Sequence, residues 1–289
     1  SCGAQTILEE ANMAQACAFC GSSHVVKQEE IPGILPESVL PFSIVLSKAQ
    51  ESFHKWLSKR YFAPSDLASK HRGNKITGVY IPYWTFDAST YSLYTAQKGT
   101  HYYVTEWVSV TRKGRTARES RQVRKTRWAS VRGSFGASYD DELIHASKRL
   151  DSIIKGKVGI FNLSKLTPYK SQYLAGFVAE KYTVALAQAW ETGKTKIKEK
   201  INLGIIRQIN GDEVRALQFN TSFSNTTYKL TLLPLWVSGF YYKDKLYSFV
   251  VNGQTGELYG EAPISVAKVA LLIITIIAII GVILLFSQT

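Results

Sequence analysis

The sequence predicts an α+β protein with an N-terminal zinc knuckle, an aromatic-rich antiparallel β-sheet body, packed helices and a C-terminal transmembrane helix. Three observations support this prediction. All three cysteines lie in the first twenty residues of a 289-residue chain. Two long stretches are rich in Tyr, Trp, Val and Thr, which favour strands. The chain also ends in an apolar run, while its remaining length suits one large or two modest domains.

The N-terminal cysteines have the spacing of a metal knuckle. Cys17 and Cys20 form C-x-x-C followed by glycine, a turn that lets two thiolates bind one tetrahedral zinc. Cys2 is also followed by glycine, and its expected partner would lie just ahead of Ser1. We therefore expect zinc on Cys2, Cys17 and Cys20, with an upstream cysteine or His24 as the fourth ligand. Three ordinary buried thiols are the alternative.

The chain divides into four predicted segments. "IPGILPESVLPF" has three prolines and is typical of an extended linker, and the apolar spacing after it predicts a helix from Leu46 that Pro64 ends. "DDELIHASKRLDSIIKG" predicts a further helix, and the stretch before 209 predicts one that breaks near Gly193. The expected divisions are 1–30 zinc ribbon, 31–70 linker and helix, 71–262 α+β body and 266–287 transmembrane helix.

The two β-rich stretches resemble each other. "KITGVYIPYW" contains Pro82 and Trp84, and "KLTLLPLW" contains Pro234 and Trp236. Each is followed by aromatic-rich sequence that predicts a hairpin. An internal duplication explains the likeness, and chance similarity of two aromatic strands is the alternative.

The C-terminal run predicts a membrane anchor. Residues 269–286 are uncharged, about the minimum length for a helix that crosses a hydrocarbon core, and Lys268 stands at their edge. A buried core helix or a signal sequence is the alternative. All lysines and arginines precede the run, which favours a single-pass protein of the cell membrane with a cytoplasmic body. A longer natural chain with another span beyond Thr289 is the second possibility.

A cluster of basic residues is the strongest charge feature in a chain of net charge +13. A K-G-R turn and the flanking Trp107 and Trp128 predict a long hairpin with a basic tip. Contact with an anionic lipid bilayer or an acidic protein partner is favoured over nucleic acid, which would also use clustered Arg and aromatic rings. The predicted surface comprises Arg112, Lys113, Arg115, Arg118, Arg121, Arg124, Lys125 and Arg127, with Arg132 beyond it.

Motifs of catalysis were sought and not found in the sequence. None of the five histidines adjoins a nucleophile motif, and there is no P-loop, G-x-S-x-G or H-E-x-x-H. Asp87, Asp140, Asp141 and Glu142 could be assembled into a carboxylate pair, but the last three occupy positions typical of a helix N-terminus. We therefore expect no enzyme and no catalytic residues.

Three motifs resemble those of a bacterial family. "GVYIPYWTFDA", "LLPLWV" and "VNGQTGELYGEAPIS" are similar to segments of zinc-ribbon, C-terminally membrane-anchored proteins that are often mislabelled primosomal or helicase-like. These proteins tend to be encoded near SPFH (flotillin-like) and phage-shock genes. The resemblance implies a four-cysteine ribbon, a membrane anchor and an assembly role. We therefore expect a membrane-anchored zinc-ribbon adaptor or scaffold, for which the resemblance suggests an SPFH-domain oligomer as partner; a nucleic-acid-binding protein is the alternative.

Overall fold

The structure is a computed structural model that describes most of the chain outside its N-terminal segment. Its residues cluster into two compact units. Unit 1 contains Ser1–Trp84, Ile144–Ala189 and Lys229–Thr289, and unit 2 contains Thr85–Leu143 and Trp190–Tyr228. The described residues are 6–7, 15–16, 23–24, 34–67, 76–112, 115–147, 159–243 and 245–287.

The described secondary structure comprises three α-helices, eleven strands and two short 3-10 helices, Leu163–Lys165 and Ser171–Leu174. The helices are α1 (Leu46–Ser58), α2 (Leu186–Ile209) and α3 (Val266–Ser287). The strands are β1 (Thr6–Ile7), β2 (Gln15–Ala16), β3 (Ser23–His24), β4 (Ser38–Val39), β5 (Thr77–Arg112), β6 (Arg115–His145), β7 (Thr167–Pro168), β8 (Val178–Glu180), β9 (Glu213–Tyr242), β10 (Lys245–Asn252) and β11 (Leu258–Gly260).

The main sheet has nine strands and is mixed, so the prediction of an antiparallel sheet body is wrong. Its central order is β1-β8-β5-β9-β10-β11, with β6 on β5 and with β4 joining β7 to β9. Most neighbours are antiparallel, but β8 runs parallel to β5 and β4 runs parallel to β9. The two parallel strands are two and three residues long, too short for a sequence pattern to reveal them.

Two segments of the chain repeat the same order of elements. Repeat 1 (38–147) contains β4, α1, β5 and β6, and repeat 2 (178–253) contains β8, α2, β9 and β10. The short first strand of each repeat pairs in parallel with the long strand of the other. Val39 lies opposite Leu232, and Ala179 lies opposite Tyr80.

The Pro-x-Trp segments of the two repeats make matching backbone contacts. The Ala146 N–H donates to the carbonyl of Pro82 at 3.1 Å, and the Gly253 N–H donates to the carbonyl of Pro234 at 2.9 Å. A proline cannot donate to a ladder, but its carbonyl still accepts. Each bond joins the residue that follows the second hairpin strand to the proline within the first.

The two tryptophans also make equivalent hydrogen bonds. Trp84 donates from Nε1 to the carbonyl of Val184 at 2.9 Å, just before α2. Trp236 donates to the carbonyl of Ile44 at 2.8 Å, just before α1. The hairpin of each repeat therefore holds the helix entry of the other.

The segments entering the two helices match in sequence as well as in contacts. Residues 42–49 read FSIVLSKA and residues 182–189 read YTVALAQA. The Phe42 ring lies 4.9 Å from that of Trp236 at 56°, and the Tyr182 ring lies 5.3 Å from that of Trp84 at 61°. These matching contacts extend the similarity of the two Pro-x-Trp segments to whole repeats.

Unit 2 is a helix packed on one face of a three-stranded sheet. Thr90 of β5 donates to the carbonyl of Ala137 on β6, and Ser92 of β5 shares a hydrogen bond with Thr221 of β9. β5 therefore lies between β6 and β9. The described core of the unit comprises Ala88, Tyr94, Ala96, Ile197, Ile201, Ile205 and Ile209.

Two predictions for helices differ from the structure. Residues 140–145, expected to begin a helix, belong to β6. The helix expected to break near Gly193 is continuous as α2. In the first case the carboxylates of "DDELIH" suggested a helix start, although the sheet pairing of the long hairpin extends through them.

The prediction of a C-terminal transmembrane helix is also wrong. In the part of the chain that the structure describes, no helix combines the length and the apolar character that a membrane crossing needs. The prediction of a single-pass cell-membrane protein with a cytoplasmic body depended on that helix and is therefore wrong as well.

Lys268 has a different environment from the one predicted. It was expected to extend toward a membrane surface. Its Nζ instead donates to the carbonyl of Ala63 at 2.7 Å, and the Ser265 N–H donates to the carbonyl of Phe62. These bonds join the start of α3 to the segment that follows α1.

Candidate interaction surface

The end of the β5–β6 hairpin continues as two strands beyond the rest of unit 2. β9 begins at Glu213, where His101 of β5 contacts it through a 2.7 Å Nε2–Oε1 bond. The His101 N–H also donates to Asp212. Past this point β5 and β6 have only each other as described neighbours. We call residues 102–112 and 115–128 the basic ribbon.

The basic ribbon presents cations on both of its faces. Alternate residues of a strand point to opposite faces, so Arg118 and Arg124 lie on one face and Arg121, Lys125 and Arg127 on the other. All five of these predicted surface residues are exposed. The side chains of Arg112 and Arg115 are not described, and Lys113 lies outside the described residues.

Aromatic side chains accompany these cations. Tyr103 is 66% exposed and Trp107 is 69% exposed, and Tyr102 is also exposed. The Arg127 guanidinium lies 5.4 Å from the centre of the Tyr102 ring, within the range of a cation–π contact. Large exposed rings grouped on one structural feature are typical of binding surfaces.

Two acidic side chains neutralise part of the charge. Glu106 pairs with Lys125 at 2.7 Å, and this hydrogen bond raises the pKa of Lys125. The hydrogen bond from His101 lowers the pKa of Glu213, and the positive charges of His101 and Arg124 lower it further. Among the described residues, Arg118 and Arg121 form no ion pair, so the outer ribbon keeps a positive charge.

Sequence patterns predicted the basic residues of the ribbon but only some of its aromatic residues. They included Trp107 and Trp128 but not Tyr102 and Tyr103, which lie in β5 across from β6. The signal was present, because "THYYVTEW" and "RQVRKTRW" are the two arms of one predicted hairpin. At the base of the ribbon, the Arg215 guanidinium lies 3.8 Å from the centre of the Trp128 ring.

Three aspartates of unit 2 come together where β5, β6 and β9 meet. Oxygens of Asp87, Asp140 and Asp141 lie within 4.8 Å of one another. Asp87 accepts hydrogen bonds from the Asp141 N–H at 2.9 Å and from Thr227 Oγ1 at 2.6 Å. Such oxygens suit Ca²⁺ or Mg²⁺ and are not specific to zinc. These two hydrogen bonds give Asp87 a structural role, because they connect β5 to β6 and to β9.

Glu142 is the fourth carboxylate that the sequence offered for a catalytic pair, and its contacts give it a structural role. It is buried in unit 2, where it pairs with Lys200 and lies 3.7 Å from Lys196. Removing one partner of such a buried pair would leave an uncompensated charge. Glu142 therefore fastens α2 to β6.

A second buried carboxylate lies in unit 1. The Ser147 hydroxyl donates to Glu180 Oε1 at 2.7 Å, and both residues are almost fully buried. A nucleophile needs access to substrate, which this position does not provide. The bond joins the segment after β6 to the end of β8.

The predicted zinc ligands Cys2, Cys17 and Cys20 lie outside the described residues. The strands on either side of C-x-x-C are described: β2 and β3 pair antiparallel, with Ala16 opposite Ser23.

Comparisons with known proteins leave the function open. No family model matches the chain, and no solved structure matches it. The uncharacterized protein YdjG of Bacillus subtilis (strain 168) is 29% identical over 240 residues, which cover 82% of this chain and 66% of that protein. The chain thus spans just under two thirds of the length of the curated relative that it resembles.

Proposed function

We propose that this protein is an adaptor that binds an acidic partner protein through the basic ribbon. The observation that carries the proposal is the composition of the ribbon beyond His101. Exposed arginines and exposed aromatic rings share a feature that extends past the helix-covered sheet of unit 2. Interfaces favour Arg, Tyr and Trp: the aromatic side chains offer large contact areas with few rotatable bonds, and the planar guanidinium of arginine makes bidentate hydrogen bonds to carboxylates.

Zinc is the second part of this proposal. A zinc held by Cys2, Cys17, Cys20 and one further ligand would fold the N-terminal segment, since structural zinc sites supply folding free energy directly. The family resemblance makes an SPFH-domain oligomer the first partner to test. Two of the three motifs of that resemblance lie within the repeats, at 78–88 and 232–237, and the third begins at the end of repeat 2 and runs to 265.

The test is affinity capture with the full chain and two charge-matched variants. One variant carries Arg118→Gln, Arg121→Gln and Arg124→Gln in the ribbon. The control loses the same charge elsewhere through Lys59→Gln, Lys165→Gln and Lys170→Gln, all exposed.

We expect the ribbon variant to recover at least tenfold less partner and the control to recover the wild-type amount. Capture should also weaken with added salt, because exposed charges are screened. Equal recovery by the two variants would exclude the ribbon as the binding surface.

Nucleic acid is the second candidate partner, and the exposure of Trp107 and Tyr103 beside arginines favours it. Bases stack on such rings, and phosphates pair with arginine. The test is binding of an oligothymidylate at physiological salt. Tight binding that Trp107→Ala abolishes would favour this function over the adaptor, whereas weak binding that any basic surface shows would not.

A further inference from the structure

We propose that the partner of the basic ribbon binds as an added β-strand: an extended acidic segment pairs with the outer edge of β6 at 118–128. This inference rests on the adaptor function proposed above and specifies how the partner is recognised. It concerns backbone hydrogen bonds, which a purely electrostatic contact would not form.

The outer edge of β6 is open among the described strands. β6 pairs with β5 and with no other described strand. Every second N–H and C=O group of β6 therefore faces away from β5, as at any sheet edge. Between 118 and 128 most side chains are exposed, so neither face of the strand is covered.

A third strand would stabilise a ribbon of only two strands. Two-stranded hairpins are marginally stable in water, and three strands or packing against a helix are needed for independent stability. α2 packs against the sheet of unit 2, whose described core on β5 extends from Ala88 to Ala96. The ribbon begins beyond that core and still exposes Tyr103 and Trp107. A strand added at β6 would widen the ribbon.

The positive charge at the outer edge of β6 favours an acidic strand as its binding partner. Six basic residues and one acidic residue lie between 115 and 128. Because Arg118 and Arg124 face one side and Arg121 and Lys125 the other, an added strand would meet cations with the side chains of both its faces. Cross-strand pairs of opposite charge are favourable, and like charges directly opposite are destabilising. A second copy paired through β6 would place like charges together, whereas an acidic strand would neutralise them.

The experiment uses the full chain and a labelled peptide of about ten residues in which pairs of adjacent glutamates are separated by threonine and valine, so that both faces of the strand carry glutamate. Binding is measured by fluorescence anisotropy, and amide hydrogen exchange of 118–128 is measured by NMR. We expect every second amide of this stretch to exchange at least tenfold more slowly in the complex. The matched control is the same peptide with N-methyl groups along both edges, which should bind at least tenfold more weakly.

The outcomes separate this inference from the adaptor function. Peptide binding without alternate amide protection, or equal affinity of the N-methylated peptide, would overturn the added strand and leave the adaptor proposal standing. Absence of peptide binding, with partner capture still sensitive to the ribbon substitutions, would do the same. Protection that grows with protein concentration in the absence of peptide would show that a second copy occupies the edge.

Discussion

The two repeats share one set of core contacts and differ in what extends from it. After Pro82, β5 continues for thirty residues to Arg112, whereas after Pro234, β9 continues for eight residues to Tyr242. The helix lengths differ in the opposite direction: α1 of repeat 1 has 13 residues, and α2 of repeat 2 has 24. The shared contacts build the fold, whereas the part of the repeat 1 hairpin beyond His101 is an addition that the fold does not require.

The largest expected effect is the loss of zinc. All three cysteines precede both repeats, so the metal site and the repeats can be tested separately. Metal analysis of the full-length protein should give about one zinc per chain, and Cys17→Ser with Cys20→Ser should remove it completely. The β-sheet signal in circular dichroism should persist, since the contacts of the repeats contain no cysteine. A zinc content near zero in reduced wild-type protein would contradict the metal site.

The second prediction compares the equivalent tryptophans. Trp84 and Trp236 are 0% and 8% exposed and make matching hydrogen bonds. Either Trp→Ala substitution should lower the free energy of unfolding by about 3–5 kcal/mol, measured by urea titration. Exposed Trp107, changed to alanine, should cost less than about 1 kcal/mol and serves as the control. A small effect at one buried tryptophan would show that the repeats are not energetically equivalent.

The third prediction uses a position where the repeats differ chemically. Tyr80 pairs with Ala179, while its counterpart Leu232 pairs with Val39. Burial raises the pKa of Tyr80 from 10.0 to about 12. The folded pKa is above the unfolded one, so this contribution to stability is complete below pH 10 and is lost as the pH rises toward 12.

Tyr80→Phe isolates this contribution. At pH 8 the variant should be less stable by about 1 kcal/mol, because it loses the hydrogen bond with the Phe42 backbone. As the pH rises from 10 to 12 the difference should shrink, since phenylalanine does not ionise. Urea titration at several pH values measures it. Burial also raises the pKa of Tyr259 to about 12, so Tyr259 titrates in both proteins and cancels in the comparison. A difference that stays constant with pH would contradict the assignment.

The smallest expected effect is at the ribbon itself. Glu106→Gln removes the ion pair with exposed Lys125, and exposed pairs contribute little to stability. The thermal midpoint should stay within about 2 °C of the wild-type value. Partner binding should be unchanged or stronger, because the surface becomes more positive. A large fall in the midpoint would mean that the ribbon is part of the core.

Sequence patterns located the hairpin strands, the basic arm and the two Pro-x-Trp segments because each depends on local composition. They did not reveal the mixed sheet, since β4 and β8 are set by pairing between repeats and not by periodicity. They also placed Asp140, Asp141 and Glu142 at a helix start. In the structure the Asp141 N–H bonds to Asp87, 54 residues earlier. Such long-range contacts leave no local signal.

The most direct test of the account is to shorten the long hairpin of repeat 1. Gln122 donates to Thr105 across the ribbon, so removing equal lengths from both arms preserves the register. Replacing 103–124 with Asn-Gly, which forms a tight hairpin turn, removes most of the ribbon. This variant should keep the circular dichroism signal of the remaining sheet and a free energy of unfolding in urea close to that of the wild type, and affinity capture should recover no partner. A folded variant that still captures the partner would contradict the central claim that the ribbon is the binding surface.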